Sequence, residues 1–248
     1  MKFRTESLII KEQNIGEQDK LIHALTKSHG VVKAFVRGAK SLKTGKGAAT
    51  SLLSYAMLTF HTGRESYSVS DARSLHIFSK LRQDVANMCL AQYFCELALT
   101  ACPREKPAEQ LLSLFLNALY LLDSGKRKPS LVKPCLEMRL TALSGYLPDL
   151  VMCRGCGVYS APVMYFSPRT GELACDRCGS LAGGGVALSE AALTALRHTV
   201  YADDSRLFSF ALSDEGLEQL NRASEAYVQY RFEKEFKTLQ FYHTMKEP

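Results

Sequence analysis

Through about residue 75 the apolar positions come in short runs: Ser7–Glu12, Lys20–Lys27, Val31–Val36, Ser54–Phe60 and Tyr67–Ala72. Each is rich in Val, Ile, Leu, Phe, Tyr or Thr, and they are punctuated by Asn14-Ile15-Gly16, His29-Gly30, Gly38 and Thr62-Gly63. Runs of this length and composition between turn residues predict β-strands. In the fourth run Tyr55, Met57 and Thr59 alternate with Ala56, Leu58 and Phe60, which predicts a strand buried on both faces. Five such strands suit a small closed barrel, and closure removes the unpaired edges of an open sheet.

From about Lys80 the period lengthens. Val85, Met88, Cys89, Gln92, Tyr93 and Leu97 recur at three-and-four spacing in Asp84–Ala101, predicting a helix buried over much of its surface. Pro103 stops it, and Pro107 opens a second helix over Ala108–Leu122 that ends at Ser124-Gly125. A third covers Ser130–Ser144, closed by Gly145, with Pro134 blurring its start. Ser189 reads as the N-cap of Glu190–Tyr201. Ser213 reads as the N-cap of a long final helix reaching about Lys237, with Asp214 and Glu215 complementing its dipole. The longest apolar stretch, Leu111 to Leu122, is too short to span a bilayer. The charged N-terminus shows no signal peptide, so the expected location is the cytoplasm.

Four of the 8 cysteines stand as Cys153-x2-Cys156 and Cys175-x2-Cys178, separated by 18 residues. Paired cysteines at this spacing point to a tetrathiolate zinc site. A two-residue gap lets a tight turn present both sulfurs to one ion. Gly157 and Gly179 follow the pairs and can complete those turns, while Arg154 and Arg177 offset the formal charge of four thiolates around Zn²⁺. All four positions being sulfur, the metal would be structural. The competing readings are two disulfides, disfavoured inside a cell, and four free thiols, disfavoured by the pairing. Cys89, Cys95, Cys102 and Cys135 lack ligand spacing and read as buried free thiols. Ala182-Gly183-Gly184-Gly185 looks like the hinge on the exit side of the module.

The net charge of +6 is unevenly spread. Met1–Lys80 holds 13 Lys/Arg against 6 Asp/Glu, whereas the rest of the chain holds 18 against 19. Arg37–Gly47 alone carries Arg37, Lys40, Lys43 and Lys46 with three glycines and no acid. Along an extended loop these cations would follow a phosphate backbone, with Lys33, Arg64 and Arg73 widening the patch. Cations on a small barrel, with Phe35, Tyr55, Phe60 and Tyr67 nearby, match single-strand binding by an OB-fold. A basic solvated face without a partner is the plainer alternative. The chain has no Gly-x-Ser-x-Gly elbow, His-Glu-x-x-His pair or dinucleotide fingerprint, and the 6 histidines are scattered, so no enzyme is expected. Gly45-Lys46-Gly47 lacks the Ser/Thr of a phosphate loop.

Three segments carry a resemblance: Glu6–Ile10, Gly30–Lys40 and the Tyr165-Phe166-Ser167-Pro168 stretch that runs on to Cys175. Together they resemble the RecO family over essentially the whole chain. The resemblance implies binding of single- and double-stranded DNA, annealing of complementary strands, and partnership with RecR and with the single-strand binding protein SSB. It further implies a functional link to RecA and association with the nucleoid. The expected architecture is therefore α+β and multidomain. An N-terminal OB-fold barrel over residues 1–80 precedes a helical domain over 81–248, with a zinc module at about 149–182. A protein-interaction scaffold without DNA binding, and a metalloenzyme with one displaceable thiolate, remain as alternatives.

Overall fold

The β-rich first third pairs into five strands: β1 (Lys2–Ile15), β2 (Asp19–Thr26), β3 (Gly30–Val36), β4 (Ser54–Thr62) and β5 (Tyr67–Ile77). The computed structural model describes residues 2–39, 46–63, 66–179 and 185–246. Strand β1 is longer than its apolar run because it serves two neighbours. Lys2–Leu8 pairs with β4 and Ser7–Ile15 with β2, across a bulge between Ile9 and Lys11. The ring runs β1-β2-β3-β5-β4 and back to β1. Its weakest join is the parallel contact of β3 with β5, only Ala34↔Tyr67 and Phe35↔Ser68. This is the strand order of an OB-fold.

Inside lie Ile9, Ile22, Ala24, Val32, Leu58 and Phe60. Burial on both faces occurs in β1, at Leu8, Ile9 and Ile10, and in β4 only at Leu58, Thr59 and Phe60, since Tyr55 and Met57 stay partly exposed. The reason is that α2 (Val85–Ala101) and α3 (Glu109–Ser124) pack against the outside of β1.

The segment joining α2 to α3 is stitched to the β2–β3 turn. The Val31 N–H donates to Pro103 (2.8 Å), Glu105 to His29 (3.0 Å) and Ala108 to Lys27 (2.9 Å). Gly30 makes this possible. Its φ is +60°, and a β-carbon there would lie 2.1 Å from the Pro103 carbonyl oxygen.

The chain separates into two compact units, Met1–Ser124 with Lys237–Pro248, and Gly125–Phe236. The first adds α2, α3 and the terminal α7 (Lys237–Lys246) to the barrel. Helix α7 lies along α2, with the Thr238 hydroxyl donating to Glu96 (2.6 Å). The short α1 (Lys46–Ala49) also belongs here. The loop expected to be extended through Gly47 thus turns helical at Lys46.

The second unit holds α4 (Pro129–Leu143), β6 (Val163–Phe166), β7 (Leu173–Cys175), β8 (Val186–Ser189), α5 (Glu190–Tyr201) and α6 (Asp214–Phe232). Pro134 sits inside α4, where its missing N–H would orphan the Ser130 carbonyl. The Asn221 amide of α6 donates to that carbonyl instead (2.6 Å). Helix α4 is buried nearly throughout. Its Lys133 ammonium is paired with Glu137 (2.9 Å) and Glu225 (3.0 Å), as a buried charge must be. Ser189 and Ser213 cap α5 and α6 as expected, accepting from Ala192 (3.3 Å) and Gly216 (3.2 Å).

The single final helix expected to reach Lys237 is instead two. Helix α6 stops where Glu233 turns left-handed (φ 49°, ψ 42°), and α7 starts afresh at Lys237. A three-stranded antiparallel sheet, ordered β7-β6-β8, was not legible in the sequence. Among the described residues, no helix is long and apolar enough to cross a membrane.

Candidate metal centre and nucleic-acid interface

The first cysteine pair forms a turn closed by Gly157 N–H donating to Cys153 (2.9 Å), with Cys153 N–H donating to Val158 (2.8 Å). Gly157 takes φ +73° and Gly179, after the second pair, φ +104°, so both glycines occupy backbone that other residues avoid. The second pair enters from β7, where Cys175 ends the strand and Cys178 ends a 3-10 turn over Asp176–Cys178. The four sulfurs lie within 4.8 Å of one another, and Cys156 and Cys175 are 3.6 Å apart. Metal–thiolate bonds of about 2.3 Å in a tetrahedron require sulfur–sulfur edges of about 3.8 Å. The donor set therefore fits one ion.

Two features fix this geometry. A β-carbon on Gly155 would stand 2.9 Å from the Cys178 sulfur, so the first turn must carry glycine to admit the second pair. Arg197 of α5 holds the flanks of the turn, donating to the carbonyls of Leu150 (2.7 Å), Val151 (2.9 Å) and Tyr159 (2.6 Å). Arg154, expected to offset thiolate charge, is ion-paired with Glu172.

Burial resists ionisation of Cys153. Backbone N–H groups of Cys175, Cys156 and Gly155 outweigh it and bring the thiol down to about 6. Cys175 also shifts down: burial again opposes ionisation, and hydrogen bonds from the Cys178 backbone and the Cys156 side chain outweigh it. Cys178 is pushed up to about 12 because it donates its proton to the sulfurs of Cys156, Cys175 and Cys153. Without a cation, four adjacent thiolates do not coexist; a dication removes that obstacle. The remaining cysteines are buried, and burial alone pushes Cys95 and Cys102 to about 12.

The basic residues separate by position. On β3, Val32, Ala34 and Val36 face the core while Lys33, Phe35 and, just beyond the strand, Arg37 face out. The register places Lys33 opposite His23 and His23 opposite Lys11, a row across three strands. The next row is Gln13, Leu21 and Phe35. Phe35 is 39% exposed. The other candidate aromatics are engaged: Phe60 is buried against Phe3, Tyr67 packs edge-on to Phe3, and Tyr55 donates to Glu6.

Arg73 on β5 stands opposite Met57, which is opposite Glu6, so its row is not purely basic. Lys46 begins α1, and a β-carbon on the next residue, Gly47, would lie 2.6 Å from the Ala39 carbonyl oxygen, so the two ends of the basic segment are close. Lys40, Lys43 and Arg64 lie outside the described residues, as do residues 182–184 of the expected hinge.

Known protein families match the sequence along most of its length. A family described as "Recombination protein O N terminal" matches residues 1–78, and "Recombination protein O C terminal" matches 82–240. The chain belongs to the RecO family. The DNA repair protein RecO of Acetivibrio thermocellus is 32% identical over 242 residues, covering 98% of this chain and 96% of the relative. That of Symbiobacterium thermophilum is 29% identical over 247 residues, covering 98% of each. That of Dehalococcoides mccartyi is 27% identical over 238 residues, covering 96% and 93%.

Several residues of this RecO chain escape a reading of sequence alone. Lys11 is followed by Glu12, which masks its charge locally, yet Glu12 is bonded to Lys20 (3.0 Å). Arg104 lies between two helices, and only the stitching to the β2–β3 turn brings it to the barrel. Gly155 carries a signal in hindsight, a glycine between two ligand cysteines, but its reason is a contact with a residue 23 positions away.

Proposed function

We propose that this RecO protein acts in DNA repair and recombination as a non-catalytic mediator. It binds single- and double-stranded DNA through the barrel, anneals complementary strands and, with RecR, helps load RecA onto SSB-coated strands. The observation that carries the reading is the outward face of β3, with Lys33 and Phe35 on the strand and Arg37 just beyond it, beside Lys11 and His23, in a chain that matches RecO along its length. Cations on that face neutralise phosphates, and the exposed ring offers a platform for an unpaired base. Lowering the repulsion between two strands lets pairing nucleate.

The thiolate cluster holds Zn²⁺, supported by four sulfur donors at tetrahedral spacing. The ion's chemistry there is structural: it joins two turns and leaves no position open for substrate. Work on DNA places the protein in the cytoplasm, at the nucleoid.

The test is annealing of complementary strands coated with SSB, with and without RecR, by the native protein and by Lys33→Glu/Arg37→Glu. The native protein anneals and the variant does not. Equal annealing by both would remove the barrel from the mechanism.

A protein-interaction scaffold is the second reading. It draws on Leu147, Val151, Met152 and Tyr159, large apolar side chains exposed around the first cysteine pair. Binding of single-stranded DNA at two salt concentrations separates the two readings, since only the first gives a steep salt dependence.

A further inference from the structure

The row Lys11–His23–Lys33 places an imidazole between two ammonium groups on the outer face of the barrel, each its direct cross-strand neighbour. A third cation comes from elsewhere in the chain. Arg104 forms an antiparallel bridge with Gly30, held by the stitching of residues 103–108 to the β2–β3 turn. Among the described residues the charged groups that act on the imidazole are these three, Lys11 from β1, Lys33 from β3 and Arg104 from the connector, and all are positive. The nearby acids Glu12 and Glu109 are committed to Lys20 and Lys27.

His23 is half-buried, and its Nδ1, an atom closed off from solvent, has no hydrogen-bond partner among the described residues. His29 and His198, by contrast, are bonded to Ser28 and to the Arg206 carbonyl. Burial first, and then the three cations, holds the His23 imidazole below its ordinary range, so at neutral pH the ring is uncharged. Three cations around a neutral ring make an anion site that is one charge short. An arriving anion offsets the field of the three cations and so favours the charged ring.

We propose that Lys11, His23, Lys33 and Arg104 form a phosphodiester site on the barrel, in which His23 takes up one proton from solvent as the phosphate binds. The neighbouring row, with Phe35 exposed beside Leu21 and Gln13, favours a nucleotide strand over an acidic peptide, because a base has a face to stack and a carboxylate side chain has none. The site rests on the reading of the barrel as the DNA-binding face. It makes that binding proton-linked, so the protein grips single strands more tightly as pH falls toward 6.

The experiment is calorimetric titration of the full-length protein with a 15-nucleotide oligo-dT in two buffers of different ionisation enthalpy, repeated from pH 5.5 to 8. The native protein takes up a fraction of a proton at pH 6.5, and its affinity rises by about threefold or more from pH 7.5 to 5.5, within the about tenfold-per-unit limit for one proton. His23→Gln abolishes the uptake and flattens the pH profile, whereas His243→Gln retains both. Lys11→Met provides an independent check on the free protein, where the His23 titration followed by NMR moves to higher pH.

Absence of uptake in the native protein, unchanged uptake in His23→Gln, or an unmoved titration in Lys11→Met overturns the site. Lys33→Glu/Arg37→Glu separates the two levels. If that variant binds oligo-dT like the native protein, the barrel reading fails and the site with it. If binding is lost but native binding carries no proton, only the site fails. Tighter binding of polyglutamate than of oligo-dT, with the same uptake, reassigns the face to acidic peptides and also overturns the proposal.

Discussion

Gly155 and Cys178 stand so close that a β-carbon on the first would lie 2.9 Å from the sulfur of the second. The two turns of the metal centre thus interlock, and one of them has no room for a side chain. Gly155→Ala is expected to cost about 1–3 kcal/mol through overpacking. Metal analysis should show less zinc per chain, and thermal unfolding of the residue 125–236 unit should shift down. Full zinc content with unchanged stability would show that the turns can part.

Acid should release the metal. Ligation requires thiolates, so protons compete with the ion for the four sulfurs and affinity falls as pH falls. Lowering pH from 7.5 to 5 in the presence of a chromophoric chelator should liberate one equivalent of zinc and expose four reactive thiols together. Liberation of fewer than four would mean that the ligand set is smaller than the four sulfurs found within 4.8 Å.

Phe35 provides a test confined to single strands. It is the exposed aromatic of its row, and loss of one base–aromatic stack costs about 1–3 kcal/mol. Phe35→Ala should weaken oligo-dT binding by roughly 5- to 150-fold in fluorescence anisotropy. Duplex binding should change much less, because paired bases already stack on one another. Equal losses on both would assign Phe35 to holding the fold.

Asn221 and Pro134 form a compensating pair, the amide serving the Ser130 carbonyl that the proline cannot reach. Asn221→Ala should destabilise the second unit by about 1–2 kcal/mol. In a Pro134→Ala background a backbone N–H becomes available, and the same substitution should cost less. A double-mutant cycle in urea reads the difference, and strict additivity would show the pair to be uncoupled.

Gly30 carries the seam between the barrel and the α2–α3 connector. Its positive φ and the 2.1 Å approach to the Pro103 oxygen leave no place for a methyl group. Gly30→Ala should cost roughly 2–5 kcal/mol, combining strain and overpacking. Amide exchange at Val31, Glu105 and Ala108, whose N–H groups make the seam, should quicken more than exchange at the core of β4.

The strands, the caps and the cysteine pairs were legible because each rests on a local rule. Turn glycines bounded the β-runs, and serine side chains at 189 and 213 found the N–H groups three residues on. The small sheet of β6, β7 and β8 was not legible. Its strands are three or four residues long, and partners such as Tyr165 and Ala187 meet only across the intervening chain. The break after Phe232 was hidden too, because Glu233 has no sequence preference for the left-handed turn that it makes.

For this RecO chain the sequence by itself determined a five-stranded module, a helical remainder, a tetrathiolate spacing and a positive first third, since periodicity, spacing and charge are properties of neighbours along the chain. Only the tertiary structure decided which cations share a face. It set Lys11, His23, Lys33 and Arg104 together, and it gave Arg73 a row that includes Glu6. Strand register and the stitching of a distant connector make those choices. Both depend on hydrogen bonds between residues far apart in sequence, which no local pattern encodes.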